Sequence, residues 1–288
     1  MNIIDWRIDY RCNAECSYCF ASKHLPLMTQ TEESIILNKI SHSNVNVVNI
    51  TGGEPMLDTL RCIRIIRSLH ENGKSVYLST NGYAFDSWKQ DINRLALLGL
   101  PLDGYDIKSN MIDGRDQNSF IRVLEILDSP EAFRTNIKIG TVVTRNSIDR
   151  MRLIKISEFL DKYPVQVWRI YEMIPEDRGA VNQKALALNK LERCMLLEIV
   201  RELCEIEHPY RIELVTREMR SSAYFIIQPN GVVMTPIDYG EVVNEIELGS
   251  LITHSINELK EKWLKKIKVK NPSHYMKERY CDVKGVYE

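Results

Sequence analysis

From Ile3 to Tyr171, short runs rich in β-branched residues alternate with longer amphipathic stretches, the pattern of βα units laid around a parallel sheet. The runs that read as strands are Ile3 to Tyr10, Val45 to Thr51, Ser75 to Ser79, Gly104 to Lys108, Asn136 to Val143 and Val165 to Tyr171. Between them Thr29 and Glu32 stand at capping-box spacing, and Leu60, Ile63, Ile66 and Leu69 form an apolar helical stripe. Ser147 is placed to cap a helix running toward Leu160. After Pro175 the pattern changes. Glu176 to Gly179 is polar, a helix is expected from Asn189 with Glu192 completing its box, and Leu188, Leu191, Met195 and Ile199 share one face. Tyr224 to Ile227 and Val232 to Met234 flank Gln228-Pro229-Asn230-Gly231, where Asn-Gly between apolar runs predicts a hairpin. The fold class expected is α/β, with a βα region over 1–180 and a small α+β extension over 181–288.

Composition narrows the class without naming a function. The 288 residues are 44% hydrophobic and 27% charged, which excludes extended disorder, a fibrous repeat and a short disulfide scaffold. A net charge of -1 gives the molecule no strong field for polyanions, so a nucleic-acid or membrane partner is not expected. The stretch from Lys260 to Arg279 holds eight basic residues opposed by Glu261 and Glu278. It reads first as a solvated helix face and second as a local anion-binding patch. No apolar run approaches the roughly 20 residues of a spanning helix, and Asp5, Arg7, Asp9 and Arg11 stand where a leader peptide would be apolar. A cytoplasmic protein is expected.

The cysteines carry the first chemistry. Of seven, Cys12, Cys16 and Cys19 fall within one short loop after the first strand, while Cys62, Cys194, Cys204 and Cys281 are scattered and read as buried apolar side chains. Three thiolates on one loop can converge on a soft-metal centre, either an iron–sulfur cluster or zinc with His24 as a fourth ligand. Three cysteines on a four-iron cluster leave one iron open to a small molecule. Thr51-Gly52-Gly53-Glu54-Pro55 ends the second strand, and in a parallel sheet both motifs open on the crevice at the C-terminal strand ends.

Cys12-Asn13-Ala14-Glu15-Cys16-Ser17-Tyr18-Cys19-Phe20, followed by Gly52-Gly53-Glu54-Pro55, resembles the radical S-adenosylmethionine superfamily. The resemblance implies a partial (β/α)6 barrel, a [4Fe-4S] cluster on Cys12, Cys16 and Cys19, and S-adenosylmethionine bound at the open iron. It implies an oxygen-sensitive enzyme that cleaves S-adenosylmethionine reductively to methionine and a 5′-deoxyadenosyl radical, which takes hydrogen from substrate. A reductant such as flavodoxin or ferredoxin supplies the electron. Gly52 and Gly53 would admit the methionine amino group, since a Cβ would obstruct it, while Glu54 would bind that group or orient the loop and Pro55 would stiffen the exit. Tyr18 and Phe20 would pack around cluster or adenine. Ser79 and Asn81 occupy a segment that meets ribose or carboxylate in related enzymes. Asp106 and Lys108 resemble the Asp-x-Lys segment of glycyl-radical activases and carboxydeazaguanine synthases, which reaches the amino acid part of the cofactor. Thr141, Arg145, Arg169 and Tyr171, near later strand ends, are further candidates for cofactor or substrate. No residue is assigned to chemistry on the substrate itself.

The extension looks like the hairpin-and-helix frame, Gln228 to Pro236, Leu248 to Leu251 and Ile256 to Trp263, that carries auxiliary clusters in peptide-modifying members. Thr235 or Pro236 stands where a ligand cysteine would be, so one cluster is expected. The viperin-like enzymes, which dehydrate a nucleoside triphosphate, are similar in size; Asn49, Thr51, Lys138 and Arg169 fit their pattern. Val47 and Val167 replace basic residues of that pattern, and Gly140 replaces a polar contact. Charge-assisted contacts are worth about 1.5–3 kcal/mol each, so a peptide or small metabolite is the favoured substrate and triphosphate dehydration the alternative. A non-catalytic metal-binding or partner-binding protein is the rival of another class.

Overall fold

The computed structural model describes residues 3–21, 24–220, 224–238 and 243–267. Seven parallel strands follow one another in sheet order: β1 Ile3–Asp9, β2 Val47–Gly52, β3 Ser75–Ser79, β4 Leu95–Pro101, β5 Asn136–Val143, β6 Val165–Glu172 and β7 Arg211–Val215. The C-terminal strands β8 Ile226–Ile227, β9 Val232–Asp238 and β10 Val243–Ser250 join the other edge, β8 pairing parallel with β1 and the last two antiparallel. The order β10-β9-β8-β1-β2-β3-β4-β5-β6-β7 does not close on itself, as in a partial barrel. Both edges of the βα region are thus lengthened by strands from the extension.

Helices cover one face. Gln30–Ser41 starts at the expected capping box, with Thr29 and Glu32 bonded reciprocally. Thr59–Glu71 buries Cys62, Ile63, Ile65, Ile66 and Leu69, so its inner stripe is rotated from the expected one and Leu60 points to solvent. Arg150–Leu160 is capped by Asp149, which accepts from the Arg152 amide. Ser147 instead bonds the Thr144 amide one turn earlier, satisfying the β5 exit rather than the helix. Lys190–Glu205 begins at the Asn189–Glu192 box as expected, yet it buries Leu196, Ile199, Val200 and Leu203 and leaves Leu191 exposed. Against these helices the outward strand positions, Trp6, Ile50, Leu98, Ile139 and Trp168 among them, form one continuous core.

The fourth strand is displaced from its expected place. It is Leu95–Pro101, hydrogen-bonded between β3 and β5, whereas Asp106 caps a four-residue helix Ile107–Asn110. Leu95-Ala-Leu-Leu-Gly-Leu lacks alternation and β-branching, so it carries no period-2 signal although it is a central strand. Gly104 instead packs tightly against the following turn, where a Cβ would overlap the Asn110 amide. Tyr224 to Met234 behaves as expected: Gly231, at φ +80°, turns the hairpin, and its amide donates to the Gln228 carbonyl at 2.9 Å. Of the scattered cysteines, Cys62 is buried and Cys204 half-buried; Cys194 is exposed on the outer side of its helix, contrary to expectation. Cys281, and the basic stretch after Ile267, lie outside the described residues. No helix among the described residues is long and apolar enough to cross a membrane.

Candidate active site

All seven parallel strands end on one rim, and the predicted motifs meet there. The loop after β1 carries Cys12, Cys16 and Cys19, and the exit of β2 lies against its root: the Gly53 amide donates to the Asp9 carbonyl at 2.9 Å and the Glu54 amide to the Arg11 carbonyl at 2.7 Å. The closeness requires glycine, since a Cβ on Gly52 or Gly53 would overlap the backbone of Asp9 or Arg11. The diglycine is therefore needed for the packing of the cysteine loop before any ligand is considered.

Glu54 is 1% exposed and spends its carboxylate on the rim itself. It accepts from the Met56 amide at 2.8 Å, the Thr80 hydroxyl at 2.6 Å and the Asn81 amide at 2.7 Å, tying β2 to β3. Burial raises its pKa above the ordinary carboxylate value, and these donors work against the rise. Of its two expected roles, the loop-orienting one is what the geometry displays. Pro55 opens the short turn that follows. The Asn81 side chain donates to the Asn13 side-chain Oδ1 at 2.8 Å, reaching the cysteine loop, and the Ser79 hydroxyl donates to the Asn49 Oδ1 at 3.3 Å.

Two further segments hold the loop, and the sequence reading missed both. The Ser17 amide and hydroxyl donate to the Asp113 carbonyl at 3.0 and 2.7 Å. On the other side the Gly179 amide donates to the Cys19 carbonyl at 3.0 Å, Asn182 to the Ser17 carbonyl at 2.8 Å and Arg178 to the Cys16 carbonyl at 3.3 Å. The stretch read only as polar, Glu176 to Gly179, is thus a clasp. Tyr18 turns inward between Cys16 and Cys19, where its hydroxyl donates to Asp103 and receives a hydrogen bond from Arg115. The Arg115–Asp103 pair, at 2.6 Å, is buried. Burial holds the Tyr18 phenol neutral, well above its usual pKa. Asp103 lies two residues past the end of β4, so an acidic residue with glycine after an apolar run was the available signal.

The other expected residues are dispersed. Phe20 is exposed on the loop, with the Arg7 guanidinium 5.7 Å from its ring centre. Asp106 and Lys108 lie on the turn after β4, where Asp106 accepts from the Ser109 amide at 2.7 Å. The Thr141 hydroxyl donates to the Leu102 carbonyl at 2.6 Å and accepts from the Trp168 indole at 2.9 Å. Arg145 is paired outside the rim with Glu192, and Arg169 lies within the sheet's inner face, paired with Glu213. His24 packs edge-on against the Tyr10 ring.

Cys12, Cys16 and Cys19 are free thiols, and among the described residues no three His, Cys, Asp or Glu side chains are closed into a metal-binding arrangement. As donors the three thiols fit a soft iron–sulfur centre. Partial burial raises the Cys19 thiol above its ordinary value, so in the metal-free chain it is protonated at neutral pH, and metal binding displaces the proton.

Residues 9–119 match the family model of a 4Fe-4S single cluster domain. Over 193 residues the chain is 28% identical to an S-adenosylmethionine-dependent nucleotide dehydratase of Fibrobacter sp. (strain UWH6), a match covering 61% of the chain and 56% of that relative. It is 29% identical over 273 residues to a probable GTP 3',8-cyclase of Methanococcus aeolicus, covering 82% of the chain and 89% of that relative. In fold it is similar to Streptococcus suis SuiB bound to precursor peptide SuiA, with TM-score 0.67 and 14% identity over 96% of this chain and 66% of that one.

Proposed function

We propose that the chain is a radical S-adenosylmethionine enzyme, cleaving S-adenosylmethionine reductively and abstracting hydrogen from a peptide or small metabolite, in keeping with its match to a 4Fe-4S single cluster domain and its similarity to an S-adenosylmethionine-dependent nucleotide dehydratase. The observation that carries this reading is the joining of the cysteine loop to the diglycine exit of β2, by two backbone hydrogen bonds, on the rim where the parallel strands end. A [4Fe-4S] cluster held by Cys12, Cys16 and Cys19 would supply one electron to the cofactor's sulfonium, releasing methionine and a hydrogen-abstracting 5′-deoxyadenosyl group. The chain's own residues supply placement. Glu54 fixes the turn that follows the diglycine, Asn81 links the β3 exit to Asn13 on the cysteine loop, and Tyr18 anchors that loop inward on Asp103 and Arg115. We assign the backbone of Gly52 to Pro55, with Ser79 and Asn81, to cofactor binding, with residues 1–180 carrying this chemistry and 181–288 shaping the substrate side. An electron donor of the flavodoxin or ferredoxin class, and a cytoplasmic, oxygen-sensitive enzyme, belong to the same reading.

The similarity to a nucleotide dehydratase supports a second reading, dehydration of a nucleoside triphosphate. The first test is common to both. Anaerobically reconstituted protein with a strong reductant should release 5′-deoxyadenosine, and Cys16→Ala should lose both the iron and that product. Full release by Cys16→Ala, or none from wild type with its cluster intact, would sink the proposal.

A further inference from the structure

Positions alternating with the core strand residues face the concave side of the sheet, and that side is charged. Arg7 on β1, Lys138 on β5 and Arg169 on β6 are each less than a tenth exposed. Three cations on one inner face would make a binding site for a polyanion. Two carboxylates brought in by the C-terminal strands change that. Glu245 of β10 reaches Arg7 at 2.8 Å across β9 and β8, its side chain 1% exposed. Glu213 of β7, also 1% exposed, pairs with Arg169 at 2.5 Å and takes Arg211 as well. Asp5 of β1 is on the same face, receiving a hydrogen bond from Asn49 at 2.7 Å. Two of the three buried cations are thus each paired with a buried carboxylate.

Resting on the radical-enzyme reading above, we propose that Glu213 and Glu245 are specificity-determining residues: by neutralising Arg169 and Arg7 they exclude nucleoside triphosphates and fit the concave face to a charge-balanced substrate, zwitterionic or uncharged. A triphosphate docking at either arginine would have to displace a buried ion pair and leave its carboxylate desolvated beside it, while a substrate without strong net charge leaves both pairs intact. Selectivity of this kind lies in the repelling acids as much as in the contacts made. It also gives the extension a function without a metal of its own, since it delivers both acids from strands outside β1–β6.

The test is equilibrium dialysis of the anaerobic holoenzyme with radiolabelled ATP, GTP, CTP and UTP, each with magnesium. Wild type should show no saturable binding in the micromolar range. Glu213→Gln and Glu245→Gln should each bind at least about tenfold more tightly, whereas Glu213→Asp and Glu245→Asp, which keep the charge, should not. Should Glu213→Gln fail to fold, Glu245→Gln decides, because its partner Arg7 retains a hydrogen bond to Gln228. Micromolar binding of any triphosphate by wild type overturns the proposal, as does a folded Gln variant with no gain. Substrate-independent release of 5′-deoxyadenosine, measured on the same preparation, reports on the radical chemistry separately. Its absence would sink that reading and leave the binding result to stand on its own.

Discussion

The exits of β2 and β4 lie on the same rim and hold the same loop, yet they do so by different means. At β2 the grip is backbone on backbone: Gly53 and Glu54 donate to the carbonyls of Asp9 and Arg11, at a closeness only glycine allows. At β4 the grip is a buried side-chain triad, Tyr18, Asp103 and Arg115, assembled from three separate segments. The first kind leaves a contiguous motif in the sequence, because the conformation constrains neighbouring residues together. The second leaves three ordinary residues whose meeting depends on the whole fold. A site can therefore be legible at one strand end and hidden at another while both are equally required.

The largest effect should come from the backbone grip. Gly53→Ala drives a Cβ into the Arg11 carbonyl, so β2 must withdraw and both hydrogen bonds are lost. We expect about 4 kcal/mol or more of destabilisation, with iron bound after reconstitution falling toward zero. Near-normal iron and melting temperature would show that the glycine is not needed for packing. Next comes the triad. Arg115→Met leaves Asp103 buried without its cation, a change worth about 3–5 kcal/mol and a melting temperature lower by roughly 10 °C. A double variant, Asp103→Leu with Arg115→Met, should recover part of that loss, since no lone charge remains buried. No recovery would mean that the triad acts through something other than charge balance.

Glu54 joins the two regimes, a side chain that serves backbone. Glu54→Gln forces an amide N–H against one of three existing donors and should cost about 1–3 kcal/mol, read as a shift in melting temperature. Because burial raises this carboxyl above its ordinary value of 4.5, its protonated form is the one favoured by folding. The contribution is complete below that value and is lost as pH rises through the raised one. The stability gap between wild type and Glu54→Gln should accordingly narrow from acidic to alkaline pH, and a gap that widened would reverse the assigned sign.

Much of the fold was legible for the same reason as the diglycine. Ser75–Ser79, Asn136–Val143 and the Gly231 hairpin came out where their β-branched runs and turn residues put them. What failed was any element without a local period. Leu95–Pro101 is rich in leucine and lacks β-branched residues, so it carried no alternation. With β4 misplaced, Asp106 and Lys108 were read as strand-end residues, and Asp103, two residues past the true strand end, went unread. The inner-face pairs Arg7–Glu245 and Arg169–Glu213 join residues 238 and 44 positions apart, a separation no sequence motif spans.

The smallest effect separates a cap from a cofactor contact. Asp106 is exposed, and the Ser109 hydroxyl and amide hold its carboxyl below the ordinary 3.8. Its stabilising share is therefore present above that value and is lost as pH falls through the lowered one. As the N-cap of a single helical turn it should cost about 1 kcal/mol when replaced by alanine, with the KM for S-adenosylmethionine unchanged. The Asp-x-Lys resemblance implies the opposite split, a raised KM with stability hardly moved. Asp106→Asn decides between them, since asparagine caps as well as aspartate but cannot offer a charge to an ammonium group. A normal KM in Asp106→Asn leaves the β4 side of the rim to Asp103 and Arg115, and a raised one moves Asp106 into the cofactor site despite its place on the turn.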